Sequence, residues 1–260
     1  MSDLGTAFIL GIVQGLTEFL PVSSSGHLVI LQGMLSERFA GDVLFDVSLH
    51  LGTTLAIIVF FYQDLIRLFK GIMPRSFHRE DLQLILCILV TTLVTGIIGI
   101  LFKERLEAMF SMPKLAAGML LVTGLLTFLT DRVGSQALSY GRIRYRDALI
   151  IGLFQAIAIT PGISRSGATI FAGVLCSLER SWAGTYSFLA GIPAILGAAF
   201  LEWSHTSQKL SCVHIAGAAT ACIVGLISLR FLVWTLRRKN FFIFSIYCWV
   251  LGGVYLIMGR

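Results

Sequence analysis

Polar side chains that could bind and cleave a phosphate group lie in two short segments of an otherwise apolar chain. The first segment contains Glu18, Ser24 and His27, and the second contains Arg165. A carboxylate and an imidazole can act as acid and base, and a serine hydroxyl can act as a nucleophile. A guanidinium presents a planar fork of donors that fits phosphate. The residue types therefore predict chemistry on a phosphate-bearing group.

The two segments repeat one pattern, Gly-x-x-Gln-x8-Ser-x-Ser-Gly, 141 positions apart. Chance similarity between two segments rich in small residues is the alternative explanation. Membrane proteins built from internal repeats often hold their substrate where the repeats meet, near the middle of the bilayer. We therefore expect one site formed by both copies. The matching residues are Gly11, Gln14, Ser23, Ser25 and Gly26 in the first copy, and Gly152, Gln155, Ser164, Ser166 and Gly167 in the second.

In each copy a proline and a Ser/Gly cluster interrupt the apolar run just before a new half-helix. The free N–H groups and the positive dipole end of that half-helix point at the interruption, with the serine hydroxyls beside them. This arrangement predicts an anion-binding cradle. An arginine such as Arg165 costs about 2.5–3.5 kcal/mol at membrane depth unless an anion compensates its charge. The competing interpretation is that Arg165 pairs with Glu18 only to lock the two segments together.

The composition places the chain in a membrane. Hydrophobic residues make up 56% of it and charged residues only 13%, which is more apolar surface than a soluble core of this length could bury. The net charge of +6 does not predict nucleic-acid binding, because the Lys and Arg residues lie in short loops. The N-terminus lacks the features of a cleaved signal peptide, so we expect the first apolar run to remain in the protein.

Six apolar stretches are long enough to cross the hydrocarbon core of a bilayer, which takes about 20 residues per helix. Two further regions, 5–31 and 148–176, are broken in the middle into halves too short to cross. Each of these is predicted to be a re-entrant helical hairpin whose tip lies inside the membrane. The six stretches are 45–61, 82–102, 114–130, 185–201, 214–234 and 241–258.

The predicted fold class is therefore an all-α integral membrane protein, with six transmembrane helices and two re-entrant helical hairpins in an inverted-topology repeat. Residues 1–260 form a single membrane domain, with repeat one at about 5–131 and repeat two at about 147–258. The loops on one face, 63–81, 131–147, 178–183 and 237–240, carry twelve Lys and Arg residues against six on the other. The charge asymmetry predicts that the first face is cytoplasmic and that both termini lie outside.

At these residues the sequence resembles a known family. QGLTEFLPVSSSGH from Gln14 to His27, together with PGISRSGAT from Pro161 to Thr169, resembles the undecaprenyl-diphosphate phosphatase family, the bacitracin-resistance type of bacterial inner-membrane enzyme. The resemblance implies hydrolysis of a polyprenyl diphosphate lipid to undecaprenyl phosphate and inorganic phosphate. That reaction would recycle the lipid carrier of peptidoglycan synthesis on the periplasmic side and confer bacitracin resistance. The substrate and the membrane lipids would be the binding partners.

The resemblance also assigns roles to individual residues. Glu18 matches the family's invariant acidic residue and Ser24 its proposed nucleophile, while His27 and Arg165 match its essential histidine and phosphate-binding arginine. These four are the predicted catalytic residues. The predicted substrate-binding residues are Gln14, Ser23, Ser25, Gly26, Ser164, Ser166, Gly167 and Thr169.

A divalent cation, Mg²⁺ or Ca²⁺, is the expected cofactor, with Glu18 as its predicted ligand. Many members of the family have Glu where this chain has Gln14, and an amide is neither a base nor a charged ligand. Those roles therefore depend more heavily on Glu18, and substrate phosphates would supply most of the remaining oxygens. Asp46 and His50 are four apart and form either a pair that orients the site or a helix-end pair without a catalytic part.

The alternative function is a lipid or small-anion transporter or translocase, because opposed hairpins in inverted repeats also hold the substrates of carriers. A carrier needs binding groups only, whereas Glu18, Ser24 and His27 supply an acid, a base and a nucleophile. The spacing does not choose Ser24 over Ser23 or Ser25. Either Ser24 attacks and His27 or Glu18 takes its proton, or water attacks directly. A homodimer is also left open.

Overall fold

The structure, a computed structural model, describes residues 3–35, 42–74, 76–133, 142–205, 210–238 and 240–258. Twelve α-helices lie within these ranges. They are α1 (Asp3–Thr17), α2 (Ser24–Leu35), α3 (Val43–Phe60), α4 (Tyr62–Gly71), α5 (Arg79–Leu101), α6 (Lys103–Phe110), α7 (Pro113–Arg132), α8 (Tyr145–Ile157), α9 (Arg165–Leu175), α10 (Arg180–His205), α11 (Cys212–Arg238) and α12 (Phe242–Met258).

Five helices, α3, α5, α7, α10 and α11, are long and apolar enough to cross a membrane. They correspond to the first five predicted spans and confirm a multi-pass, all-α membrane protein. The sixth predicted stretch forms α12, a shorter apolar helix of 17 residues. Large apolar side chains such as Leu101, Phe200 and Ile257 are mostly exposed, as expected for surfaces that face lipid.

The two interrupted regions form pairs of short helices. In the first region α1 has 15 residues and α2 has 12, and in the second α8 has 13 and α9 has 11. Each is shorter than the about 20 residues that a crossing helix needs. The chain breaks between them contain Pro21 and Pro161, at the positions where the sequence predicts the interruptions.

Two short helices occupy regions that the sequence predicts as loops. α4 lies within the predicted loop 63–81, and α6 lies between the second and third spans. In α4 charged residues such as Asp64, Arg67 and Lys70 alternate with apolar ones at helical spacing. An amphipathic helix of this kind lacks the continuous apolar run that identifies a span, so the loop prediction was wrong here.

Helices of the two copies that correspond in chain order make corresponding contacts. α1 packs along α11, where Gly11 approaches the Gly217 carbonyl, and α8 packs along α5, where Gly152 approaches the Thr91 carbonyl. The long helices also pair with their counterparts, α3 with α10 and α7 with α12. A side chain at either glycine would force these backbones apart. Because these contacts hold α1 against α11 and α8 against α5, they fix the positions of the two chain breaks that follow α1 and α8.

Aromatic residues join the first chain break to the centre of the protein. Phe19, in the break between α1 and α2, packs edge-on against Phe188 of α10 with ring centroids 5.7 Å apart. Phe188 stacks in turn on Phe61, which follows α3, at 5.9 Å. All three rings are buried. The break is thus an ordered, packed segment that can hold side chains in fixed positions.

Candidate active site at the two hairpin tips

We call residues 18–27 tip one and residues 159–168 tip two, since these ranges correspond in the repeated pattern. In tip one Ser23 precedes α2, and its Oγ accepts a hydrogen bond from the Gly26 N–H at 3.2 Å. Ser23 has φ +67°, a left-handed conformation that is uncommon for a residue with a Cβ. The cap and the turn together direct the start of α2 towards the interior of the tip.

Tip two has the same capping contacts. Ser164 precedes α9, and its Oγ accepts from the Gly167 N–H at 3.1 Å. The Oγ atoms of Ser164 and Ser166 are 3.1 Å apart, as those of Ser23 and Ser25 are 3.2 Å apart. Both short helices therefore begin with a serine N-cap, and both N-termini carry free N–H groups and the positive end of a helix dipole.

The two tips touch each other through their smallest residues. A Cβ added to Gly26 would lie 3.0 Å from the Gly162 Cα, and one added to Gly167 would lie 3.2 Å from the Pro21 Cβ. Gly26 corresponds to Gly167, and Pro21 corresponds to Gly162, in the repeated pattern. The contact therefore has approximate two-fold symmetry, and it brings residues that are far apart in sequence into one cluster.

Glu18 is the centre of that cluster and is buried. Ser24 Oγ donates a hydrogen bond to Glu18 Oε2 at 2.6 Å, and Arg165 Nη2 donates to Glu18 Oε1 at 3.2 Å. Gln14 Nε2 donates to Oε2 at 3.1 Å. The structure thus brings three of the four predicted catalytic residues together. The short bond from Ser24 places a proton acceptor directly on its hydroxyl.

His50 reaches the same cluster from α3. Its Nδ1 lies 3.0 Å from Gln14 Nε2 and 3.4 Å from Glu18 Oε2. The Gln14 side-chain amide therefore lies between the Glu18 carboxylate and the His50 ring. Asp46 lies one turn earlier, in the first turn of α3.

His27 lies in tip one but does not pair with Glu18. Its Nδ1 lies 2.7 Å from the Ser23 carbonyl oxygen, to which it must donate, and its Nε2 accepts from the Tyr247 hydroxyl at 2.6 Å. Among the described residues, neither Ser24 nor Glu18 makes a hydrogen bond to His27. Glu18 and His27 are therefore not bonded to each other in this structure, because both imidazole nitrogens have other partners.

Tyr247 on α12 is the residue that sequence reasoning missed. Its ring stacks on His27 with centroids 5.6 Å apart and an interplanar angle of 2°. The two residues are 220 positions apart, and Tyr247 lies in an apolar stretch where a tyrosine is an ordinary lipid-facing or core residue. No local pattern in the sequence marks it as a partner of tip one.

The Arg165 guanidinium has hydrogen-bond donors that none of the described residues accept. Its Nε and Nη1 are buried, and neither has a hydrogen-bond partner within the part of the chain that the structure describes. Nη2 alone binds Glu18. Leaving charged donors buried and unsatisfied costs free energy, more than the about 1–3 kcal/mol of a neutral group. A phosphate between the tips could accept hydrogen bonds from these donors.

The other predicted phosphate-binding hydroxyls of tip two and α9 have protein partners. Thr169 Oγ1 lies 2.7 Å from the Arg165 carbonyl oxygen, to which it donates, and 2.5 Å from Ser187 Oγ on α10. Ser166 Oγ lies 3.4 Å from the carbonyl oxygen of Leu20. The structure gives these hydroxyls capping and bracing contacts, so contact between them and phosphate stays a prediction.

Comparison with known proteins shows the family to which this chain belongs. Residues 7–254 match the model of a family described as "Bacitracin resistance protein BacA". The chain belongs to this family. It is 43% identical to an undecaprenyl-diphosphatase of Desulfosudis oleivorans, over 96% of this chain and 97% of the relative. The undecaprenyl-diphosphatase of Syntrophotalea carbinolica is 40% identical, with 96% of each chain covered, and that of Halothermothrix orenii is 39% identical, with 98% of each covered.

In this BacA-family chain the oxygens that could hold a hard cation lie mainly on one helix face. Gln14 Oε1 is buried and has no hydrogen-bond partner among the described residues, and it lies one turn before the carboxylate of Glu18. Those residues contain no group of three or more His, Cys, Asp or Glu side chains placed to hold a metal. The pair therefore fits Mg²⁺ or Ca²⁺ only together with oxygens from a substrate.

A cavity of about 810 Å³ lies away from the tips of this BacA-family chain, between α4 and α5. Its lining includes the basic residues Arg67, Lys70 and Arg79 and the acidic residues Glu80 and Asp81. It contains no serine bonded to a carboxylate, so size alone does not make it the reaction site. We place the site at the tips, where a nucleophile, a base and unsatisfied cationic donors meet.

Proposed function

We propose that this chain hydrolyses undecaprenyl diphosphate to undecaprenyl phosphate and inorganic phosphate. One observation carries the proposal: the Ser24 hydroxyl donates to Glu18 at 2.6 Å, and the same carboxylate holds a guanidinium with two buried, unpartnered donors. The relatives named undecaprenyl-diphosphatase give the reaction class. Recycling of the peptidoglycan lipid carrier and bacitracin resistance follow from that reaction.

The proposed chemistry begins with Ser24. Glu18 takes the hydroxyl proton while Oγ attacks the terminal phosphorus, and the bond from that phosphorus to the bridging oxygen breaks. Arg165 donates to the oxygens of the transferred phosphoryl group, where charge is held in the transition state. The proton on Glu18 passes to the leaving undecaprenyl phosphate, which leaves the carboxylate free to act again.

Water completes the proposed cycle. Glu18 removes a proton from a water molecule that attacks the phosphoserine, the phosphorus–Oγ bond breaks, and the proton returns to Ser24. His27 positions tip one through its bonds to Ser23 and Tyr247 and takes no part in either proton transfer. Direct attack by water on the diphosphate is the alternative. It assigns Glu18 the same role as base but gives Ser24 only a hydrogen bond.

A divalent cation, when bound, would neutralise charge on the diphosphate oxygens. The carboxylate of Glu18 and the unpartnered Gln14 Oε1 are the residues of this chain proposed to hold it. The two carboxylate oxygens of Glu18 also accept hydrogen bonds from Arg165 and Ser24. A bound cation would therefore use the remaining lone pairs of these oxygens. Removal of the cation with a chelator is expected to abolish turnover.

We also propose that the two pairs of short helices are re-entrant hairpins in an inverted repeat. The supporting observations are the short helix lengths, the paired contacts of α1 with α11 and α8 with α5, and the symmetric contact of the tips. In a bacterial inner membrane, the charge asymmetry of the loops then directs tip one to the periplasm. Diphosphate lipid released by glycan polymerisation would reach it there.

Thiol labelling tests this orientation. In a background without the native cysteines, Ser111→Cys between α6 and α7 should react with a membrane-impermeant reagent added to intact cells. Arg142→Cys, before α8, should react only after permeabilisation. Both positions are exposed. The reverse pattern would place tip one on the cytoplasmic side and move the reaction to newly made lipid.

Phosphate release by the purified protein tests the proposed activity itself. The expected result is release from undecaprenyl diphosphate that stops on addition of chelator and resumes with Mg²⁺ or Ca²⁺. A protein that binds the diphosphate lipid and carries it across a vesicle membrane without releasing phosphate would instead be a translocase.

A further inference from the structure

Helix α10 passes directly behind the Arg165 guanidinium, and the residue at the point of contact is Gly191. A Cβ added to Gly191 would fall on Arg165 Nη1. Gly191 is buried and lies in the interior of α10, where glycine costs about 0.5–1 kcal/mol relative to alanine. At the turn that faces Arg165, α10 is therefore intrinsically less stable than it would be with alanine.

We propose that Gly191 is a positioning residue that seats the Arg165 guanidinium for phosphate. This inference rests on the proposed function. Arg165 must keep Nη2 on Glu18 while Nε and Nη1 stay free for the substrate. A guanidinium is planar, so the position of Nη1 fixes the direction in which the remaining donors point. The missing side chain at Gly191 is what allows that position.

A second contact from α10 supports the same seat. Ser187 lies one turn before Gly191, and its Oγ is 2.5 Å from Thr169 Oγ1. Thr169 lies one turn after Arg165 on α9 and donates to the Arg165 carbonyl oxygen. The same face of α10 therefore contacts the backbone end of Arg165 through Ser187 and Thr169, and its guanidinium end at Gly191.

Another glycine on α10 provides a matched control. A Cβ added to Gly197 would meet no atom within 4 Å, so Gly197→Ala makes the same change in the same helix without touching the site. At Gly191 the added methyl group meets the end of a flexible side chain, which can move aside at small cost. Gly191→Ala is therefore expected to fold, with the Arg165 guanidinium displaced.

Displacement of a binding group by about 1 Å can cost up to about 10²-fold in rate. We expect Gly191→Ala to lower kcat/KM for undecaprenyl diphosphate by at least about tenfold. Gly197→Ala should stay within about twofold of the parent, because alanine in place of glycine at an open position changes only helix propensity. Thermal unfolding should show Gly197→Ala at least as stable as the parent protein, and Gly191→Ala as a cooperatively folded protein.

The decisive experiment is a double-mutant cycle with Arg165→Lys. A lysine has no Nη1 to collide with the new methyl group, so Gly191→Ala should cost less than about twofold in the Arg165→Lys background. An equal loss in both backgrounds would overturn the proposal, since the effect would then come from helix packing. Full activity of Gly191→Ala in the parent background would overturn it as well.

Binding of inorganic diphosphate, measured by calorimetry on the same four proteins, gives a readout that does not need turnover. Weaker binding in Gly191→Ala alone, and no further weakening once Arg165→Lys is present, is the expected pattern. If the four proteins bound diphosphate in this pattern but the parent protein released no phosphate from the lipid, the proposed function would be wrong. The positioning of Arg165 by Gly191 would still be supported. Equal binding of diphosphate by Gly191→Ala and the parent protein would contradict the positioning role of Gly191.

Discussion

The two hairpin tips have the same scaffold and different chemistry. Each begins its second helix with a serine cap, Ser23 or Ser164, and each cap bonds to a glycine N–H three residues on. Three of the aligned positions that differ bear on the proposed chemistry. Tip one has Glu18, Ser24 and His27 where tip two has Ile159, Arg165 and Ala168. The same scaffold thus carries the proposed base and nucleophile in one copy and a cation in the other.

Neither tip is therefore a complete site. Tip one holds the proton acceptor and the hydroxyl, but its own residues supply no cation to bind phosphate. Tip two supplies Arg165 but has an isoleucine in place of the acid. The site exists only where the tips touch, at the contacts of Gly26 with Gly162 and of Gly167 with Pro21.

The backbone of the two tips differs as well. Ser23 has φ +67°, whereas its counterpart Ser164 has φ −74°. A left-handed conformation of a non-glycine residue costs about 1–3 kcal/mol. The strained turn immediately precedes Ser24, in the tip that carries the proposed nucleophile, and the packing of Phe19 on Phe188 helps to hold it.

Replacing the acid of tip one should have the largest effect. Glu18→Gln removes the acceptor of the Ser24 proton and half of the proposed cation site, so we expect kcat to fall at least about 10³-fold. Gln14→Glu, one turn away on the same helix face, should retain activity within about tenfold and increase the dependence on the cation. Equal damage from the two changes, in a phosphate-release assay, would contradict the assignment of the base to Glu18.

Replacing the cation of tip two should have the next largest effect. Arg165→Lys keeps the charge but loses the bidentate fork, and we expect kcat/KM to fall at least about 10²-fold. Arg144→Lys makes the same change at an ion pair between an exposed arginine and the buried Asp147, away from the tips, and should have little effect on kcat/KM. Full activity of the Arg165→Lys protein would show that tip two contributes only a point charge.

Removing the hydroxyl group of Tyr247, the partner of His27, should have a smaller effect. Tyr247→Phe removes the hydroxyl that bonds to Nε2 but keeps the ring stacked on the imidazole. A single neutral hydrogen bond is worth about 0.5–1.5 kcal/mol, so we expect a loss of about three- to tenfold in kcat/KM. Tyr255→Phe on the same helix is the matched control. A loss as large as that of Glu18→Gln would mean that His27 takes part in proton transfer.

Much of this site could be predicted from the sequence. The repeated pattern identifies both tips, and the position of charge inside an apolar chain points to Glu18 and Arg165. Those signals are local, because a cap, a chain break and a buried charge each depend on neighbouring residues. His50 could be placed near the site only as one of two open interpretations, and the structure puts its Nδ1 3.0 Å from Gln14.

The features of the site that the sequence does not predict depend on contacts between distant parts of the chain. Tyr247 and Gly191 are an ordinary aromatic residue and an ordinary glycine in apolar helices, and only the packing of α12 and α10 brings them to the tips. For the same reason, spacing could not show that Tyr247 and the Ser23 carbonyl bond to the two imidazole nitrogens of His27. Sequence spacing shows which residues share a helix face but not which other helix covers that face.

The most direct test of the division between the tips is to find where the transferred phosphoryl group goes. Purified protein would be mixed with undecaprenyl diphosphate labelled at the terminal phosphate, quenched in acid and digested for peptide mass spectrometry. We predict phosphoserine at Ser24, with no label and at least about a 10³-fold loss of phosphate release in Ser24→Ala. Label on Ser164 or Ser166, or a Ser24→Ala protein that releases phosphate at the parental rate, would contradict this division.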